Sequence, residues 1–169
     1  MKIISRAGFF GFIHLNKLIK FFLMAKDIKV TEIYKLDKGK PVKLPFMESK
    51  IAAGFPSPAA DYLEQKLDLN EYLIKHPAST FVIRVTGSSM IDEGIFDGDL
   101  LIVDKSIEPQ MGQVVIAELN GGFTVKKIEK INDKLFLVAG NKNYEPIPVN
   151  EETEFLIWGV VTYSIHKQG

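Results

Sequence analysis

The chain has no cysteine, which excludes disulfide staples, thiolate nucleophiles and cysteine-ligated metal sites. Histidine is almost as scarce. His14, His76 and His166 are scattered, with no HExxH-like spacing, so no zinc chemistry is expected, and no metal or other cofactor. A long hydrophobic run is also missing from the amino end. Its longest uncharged apolar stretch, Gly8 to Ile13, falls short of the roughly 20 residues of a membrane span. It is also shorter than the roughly 7–15-residue core of a secretory signal. A cytoplasmic protein is expected.

Net charge is absent overall, yet this conceals an asymmetry. Residues 1–53 carry 11 Lys+Arg against 4 Asp+Glu, a balance of +7, and subtraction from totals of 21 and 21 leaves −7 for residues 54–169. A basic arm able to lie on an acidic body follows from that split. The acidic part should repel nucleic acid, because non-specific DNA binding is mostly phosphate neutralisation by Lys and Arg. A role at DNA would run through a protein partner, without direct sequence-specific DNA binding. Residues 1–53 also lack paired amphipathic helices joined by a glycine turn, so no helix-turn-helix head is read there.

The first 23 residues, apolar but interrupted by Arg6, His14, Asn16, Lys17 and Lys20, leave several readings open. Met24 is a candidate true start. The segment also suits an interfacial amphipathic helix, an atypical signal peptide or an unassigned extension.

What the chain does contain is strand pattern with turn punctuation. At 169 residues it suits one core plus an arm. Residues 24–53 read as an extended arm, with Pro41 and Pro45 opposing helix, and Gly54-Phe55-Pro56-Ser57-Pro58 as a second extended piece. Leu67–Lys75 is a short helix candidate with Leu69, Tyr72 and Leu73 on one face and Pro77 beyond. Strands follow at Phe81–Thr86, Leu100–Val103 after an Asp97-Gly98 turn, Gln113–Leu119, Gly122–Ile128, Leu135–Ala139 and Phe155–Ile165. Asn120-Gly121 is the strongest hairpin signal. The fold class is mostly β: one β-domain over 54–169, with one short helix and an extended N-terminal arm.

Two stretches carry possible chemistry. Ser88-Ser89-Met90 follows a strand and Gly87, a chain reversal where a hydroxyl stands out and nearby amides lack partners. Ser89 is the candidate nucleophile, with the Ser88 and Ser89 amides as oxyanion donors. Alone, such a serine reads more readily as a turn or N-cap residue. In Phe123-Thr124-Val125-Lys126-Lys127-Ile128, alternation puts Lys126 with Thr124 and Ile128 on one face, and Lys127 with Val125 on the other. Only one lysine can turn inward. A lysine deprived of water loses its proton more readily and can serve as a base. Paired strand lysines are otherwise both solvated.

Three motifs together resemble the LexA/UmuD family of Ser-Lys self-cleaving proteins, most closely its UmuD branch. Gly87 to Val103 (GSSMIDEGIFDGDLLIV) is similar to the family's serine signature. Gly122 to Lys127 (GFTVKK) resembles the strand of its catalytic lysine, 126 − 89 = 37 residues after the serine. Ala53 to Tyr62 (AGFPSPAADY) is similar to the self-cleavage site. The resemblance implies that Ser89 is the nucleophile, Lys126 the general base and Ala53–Gly54 the scissile bond. It implies a serine peptidase acting on its own chain in the SOS response to DNA damage. Its partners would be a second copy in a homodimer, a RecA filament on single-stranded DNA that activates cleavage, and a UmuC-like Y-family DNA polymerase for translesion synthesis. UmuD commonly has cysteine before the scissile glycine, where Ala53 stands here, and the arm is longer than usual for that branch. A LexA-type transcription repressor, a membrane-anchored signal peptidase and a binding module with a vestigial dyad are the alternatives.

Overall fold

A computed structural model describes residues 28–35, 43–47, 64–150 and 153–169. Residues 1–23, the Ala53–Gly54 bond and the Pro56/Pro58 pair lie outside the described residues. Within them the chain forms ten strands: β1 (Lys29–Lys35), β2 (Lys43–Met47), β3 (Glu64–Asp68), β4 (Thr80–Thr86), β5 (Leu100–Asp104), β6 (Val114–Leu119), β7 (Gly122–Ile131), β8 (Lys134–Val138), β9 (Ile147–Pro148) and β10 (Phe155–Ile165). One helix, α1 (Leu69–Leu73), and a 3-10 turn at Ile91–Glu93 complete the set. The mostly-β expectation is met.

Local chemistry accounts for most boundaries. Asn120 (φ 51) and Gly121 (φ 78) both take positive φ in the β6–β7 hairpin, the backbone that two-residue hairpins require. Asn132 (φ 50) and Asp133 (φ 62) form a second such turn between β7 and β8. The sequence reading ended that strand at Ile128, but β7 runs to Ile131. The signal was present, since Asn and Asp tolerate left-handed backbone better than other side chains. Helix α1 is shorter than the predicted Leu67–Lys75. Asp68 caps it by accepting from Asn70 N at 2.9 Å, while Leu67 pairs with Leu44 in the β2–β3 ladder. A cap satisfies one of the amides that a helix start leaves without a partner.

Eight strands form one sheet in the order β1-β4-β5-β10-β6-β7-β8-β9, and a further β1–β7 pairing closes it on itself. Strands β2 and β3 form a separate pair. The long β10 serves both halves of the barrel-like sheet, pairing first with β6 and then with β5. Its register shifts twice, between Ile157 and Gly159 and between Val161 and Tyr163, as expected where a strand bends. Gly159 sits at the crossing, where a Cβ would come within 2.8 Å of Val103 Cγ1. Beside it the Trp158 ring packs on Phe81 of β4 and Phe123 of β7, at 5.0 and 5.9 Å between centroids. That contact ties together the two strands that lead to the site below.

Two apolar clusters fill the fold. One joins Ile28, Ile83, Val85, Met90, Ile95, Leu101, Val103, Ile116 and Val125; the other joins Val115, Ala117, Leu119, Ile128, Leu137 and Val160. Burying a Val, Leu, Ile or Met side chain fully contributes about 1.5–3 kcal/mol relative to exposure. Ile28 belongs to the first cluster although it lies in the segment read as an arm, and β1, which follows it, pairs along β4. Among the described residues, no helix is long and apolar enough to cross a membrane.

Candidate active site

The site lies where β4 ends and β7 passes. Gly87 (φ 113) turns the chain out of β4, and its amide donates to Asp97 Oδ1 at 2.8 Å. The loop then folds back on the strand it left, through Val85 N to Asp99 O and Gly98 N to Val85 O. Met90, fully buried, anchors the reversal. Its carbonyl accepts from Glu93 N and Ile95 N, and its sulfur accepts from Gly140 N. Asp92 N donates to Gly140 O at 2.7 Å, so the loop after β8 braces the 3-10 turn. A side chain at Gly140 would collide with Glu93, coming within 2.5 Å of its Cγ.

This scaffold holds Ser89 fully buried, at 0% exposure. From β7, Lys126 reaches it: Nζ donates to Ser89 Oγ at 3.3 Å, to Thr124 Oγ1 at 3.1 Å and to the Val125 carbonyl at 3.0 Å. Lys126 is only 2% exposed and is the largest fully buried side chain described. The expected alternation separates the two lysines. Lys127 turns outward, pairing with Glu93 at 2.7 Å and Glu129 at 3.0 Å. Its hydrogen bonds to the Glu93 and Glu129 carboxylates raise its pKa. Val125, on the far face from Lys126, is also fully buried, so β7 is covered on both sides at this level.

The structure therefore brings Ser88, Ser89 and Lys126 together. Among the described residues, the amides of Ser88 and Ser89 donate to no protein acceptor. Three further residues took no part in the sequence reading. Asn141, 8% exposed, donates from Nδ2 to Ser88 O at 2.8 Å and fixes the peptide preceding Ser89. Tyr144 OH lies 3.3 Å from Ser88 Oγ. Ile28 donates its backbone N–H to Ser89 Oγ at 3.2 Å, and its carbonyl accepts from Thr124 Oγ1 at 3.4 Å. Asn141 is 53 residues from Ser88 and Ile28 is 61 from Ser89. No spacing rule spans such distances. No group of three or more His, Cys, Asp or Glu among the described residues is placed to hold a metal ion.

A second polar cluster lies away from this site, around buried Asp104. Its carboxylate accepts from Ser106 N and Oγ, from Ser79 Oγ and from His76 Nδ1. Burial opposes its ionisation, but these hydrogen bonds together prevail and hold its pKa down at about 2. Ser79 and His76 both bond Asp104, one to each oxygen. This cluster clamps β5 to the β4 entry.

The sequence matches the Peptidase S24-like family over residues 45–162. It is 46% identical to protein SamA of Salmonella typhimurium over 123 residues, covering 73% of this chain and 85% of SamA. It is 44% identical to protein MucA of Escherichia coli over 126 residues, covering 72% and 84%. The LexA repressor of Ectopseudomonas mendocina is 38% identical over 121 residues, covering 72% of this chain and 56% of that protein.

Proposed function

We infer that this chain, which belongs to the Peptidase S24-like family, is a UmuD-like protein that cuts its own Ala53–Gly54 bond through Ser89 and Lys126. The observation that carries the reading is one amine and one hydroxyl, both out of water, with Nζ 3.3 Å from Oγ. Removing an ammonium from water favours its neutral form. A neutral Lys126 takes the Ser89 proton as Oγ attacks the Ala53 carbonyl carbon. The Ser88 and Ser89 amides receive the oxyanion. As the carbon–nitrogen bond breaks, Lys126 returns the proton to the Gly54 nitrogen. Water then hydrolyses the Ser89 ester, with Lys126 again the base.

Small residues at Ala53 and Gly54 leave the carbonyl open to approach, and Pro56 and Pro58 restrict the flanking chain, which lowers the ordering needed for docking. The product is Gly54–Gly169, 169 − 53 = 116 residues, acting as a homodimeric accessory subunit of a Y-family translesion polymerase. A RecA filament on single-stranded DNA raises the rate by favouring the docked state. Residues 24–53 are the removable arm.

Incubating the purified chain with RecA, ATP and single-stranded DNA is expected to release a fragment beginning at Gly54. An intact chain there and under alkaline conditions would sink the reading. The likeness to the LexA repressor favours a second reading, and specific operator binding in a gel shift would decide for it.

A further inference from the structure

We propose that Ile28 and the β1 strand that follows it are a built-in plug of the Ser89–Lys126 site, which must leave before Ser89 can attack a carbonyl. The inference rests on the self-cleavage reading above and adds its regulation.

Ser89 Oγ is engaged from two sides. Lys126 Nζ donates to it, and so does the Ile28 backbone N–H at 3.2 Å. A hydroxyl oxygen has two lone pairs; even when neutral Lys126 takes the Ser89 proton, the Ile28 N–H still competes for the pair that attack requires. Attack on a carbonyl needs one of them free, aimed at carbon. Where a substrate would present an electrophilic carbonyl, β1 presents a hydrogen-bond donor. The same residue occupies Thr124, whose Oγ1 donates to Ile28 O while accepting from Lys126. Beyond this point, Lys29 pairs with both Thr86 of β4 and Thr124 of β7. The backbone of β1 thus bridges β4, which leads to Ser89, and β7, which carries Lys126.

The plug is held by buried Ile28 and half-buried Val30 at one end and by exposed contacts from Glu32 onward. Ile28 is fully buried in the core cluster with Met90 and Val125. From Glu32 to Lys35 every side chain is exposed, including Ile33 at 43% and Tyr34 at 49%. The Glu32–Arg84 ion pair at 3.0 Å is also exposed, and such pairs add little. Release of this latch must free Ile28, half-buried Val30 and the six-pair ladder to β4 as one local opening.

The absence of cysteine from the chain permits a clean test in the full-length protein. Glu32 and Arg84 are directly opposite in the β1–β4 ladder, at a separation that suits a disulfide. In the E32C/R84C variant, oxidation locks β1 down and reduction releases it. Two readouts are followed: the Gly54 fragment at alkaline pH, and labelling of Ser89 by a fluorophosphonate, with Ser89→Ala as the blank. Oxidation is expected to slow both by at least about tenfold, and reduction to restore them. Ile28→Asp, which puts a charge into the latch, is expected to speed both by at least about tenfold. Equal labelling of locked and reduced protein overturns the plug, as does no labelling of reduced and Ile28→Asp protein alike. A fragment beginning at Ile28 also overturns it, because β1 would then be substrate. Labelling that follows the lock with no Gly54 fragment in any form keeps the plug and removes self-cleavage instead.

Discussion

The two faces of β7 place the same side chain in opposite circumstances one residue apart. Lys126 lies 2% exposed against the hydroxyls of Ser89 and Thr124 and a backbone carbonyl. Lys127 is partly exposed between two carboxylates, Glu93 and Glu129. Its hydrogen bonds to both hold its pKa above the ordinary lysine value. Carboxylate partners favour an ammonium, and dry burial favours an amine. Neighbours, and not residue type, decide which lysine is kept from water and which keeps carboxylate partners.

The comparison breaks most sharply if the buried members are replaced. Ser89→Ala and Lys126→Arg are each expected to lower self-cleavage by at least about a thousandfold in a gel time course, because an arginine stays charged at any working pH. The pH profile should reflect the same contrast. Cleavage is expected to rise with pH as the Lys126 ammonium loses its proton, and to do so equally in Lys127→Ala. A profile that moves with Lys127→Ala would reverse the assignment of the two faces.

A smaller effect, on stability, tests the other buried charge. Asp104 has its folded pKa lowered from 3.8 to about 2. A lowered carboxylate pKa stabilises the fold above the unfolded pKa, and that stability is lost as pH falls through the folded one. The size is about 2 kcal/mol at 1.36 kcal/mol per pH unit. Thermal unfolding should therefore lose that amount between about pH 4 and pH 2. Asp104→Asn should flatten this part of the curve, and an unchanged curve would refute the cluster as its source.

Asn141→Ala removes the donor that holds Ser88 O. It is expected to lower stability by about 1–2 kcal/mol and to slow cleavage by roughly tenfold as the oxyanion amides lose alignment. Denaturant unfolding and the gel assay check the two parts. The smallest change is Lys127→Ala, at most about 1 kcal/mol in stability for an exposed pair, with cleavage retained.

Much of the scaffold was readable residue by residue. Asn120-Gly121 specified a hairpin because few other pairs accept positive φ twice, and Asp97-Gly98 gave a turn in which Gly98 alone takes positive φ. The β4, β5, β6 and β10 strands fell near their expected bounds because β-branched alternation is a local property. Helix α1 was overextended at both ends, since Leu67 suits strand or helix and only its pairing with Leu44 decided. Ser89 and Lys126 were legible as a pair only through the ordered motifs around them. Asn141 and Ile28 were not legible at all.

The order of motifs, the turns and the division of Lys126 from Lys127 were determined by the sequence itself, because backbone preference and strand period act between near neighbours. Tertiary structure alone decided that Ile28 would close over Ser89, that β1 would bridge β4 and β7, and that Asn141 would hold the Ser88 carbonyl. Burial and partnership are sums over residues 50 or more positions apart, and nothing in the identity of one residue encodes which distant neighbour will exclude its water.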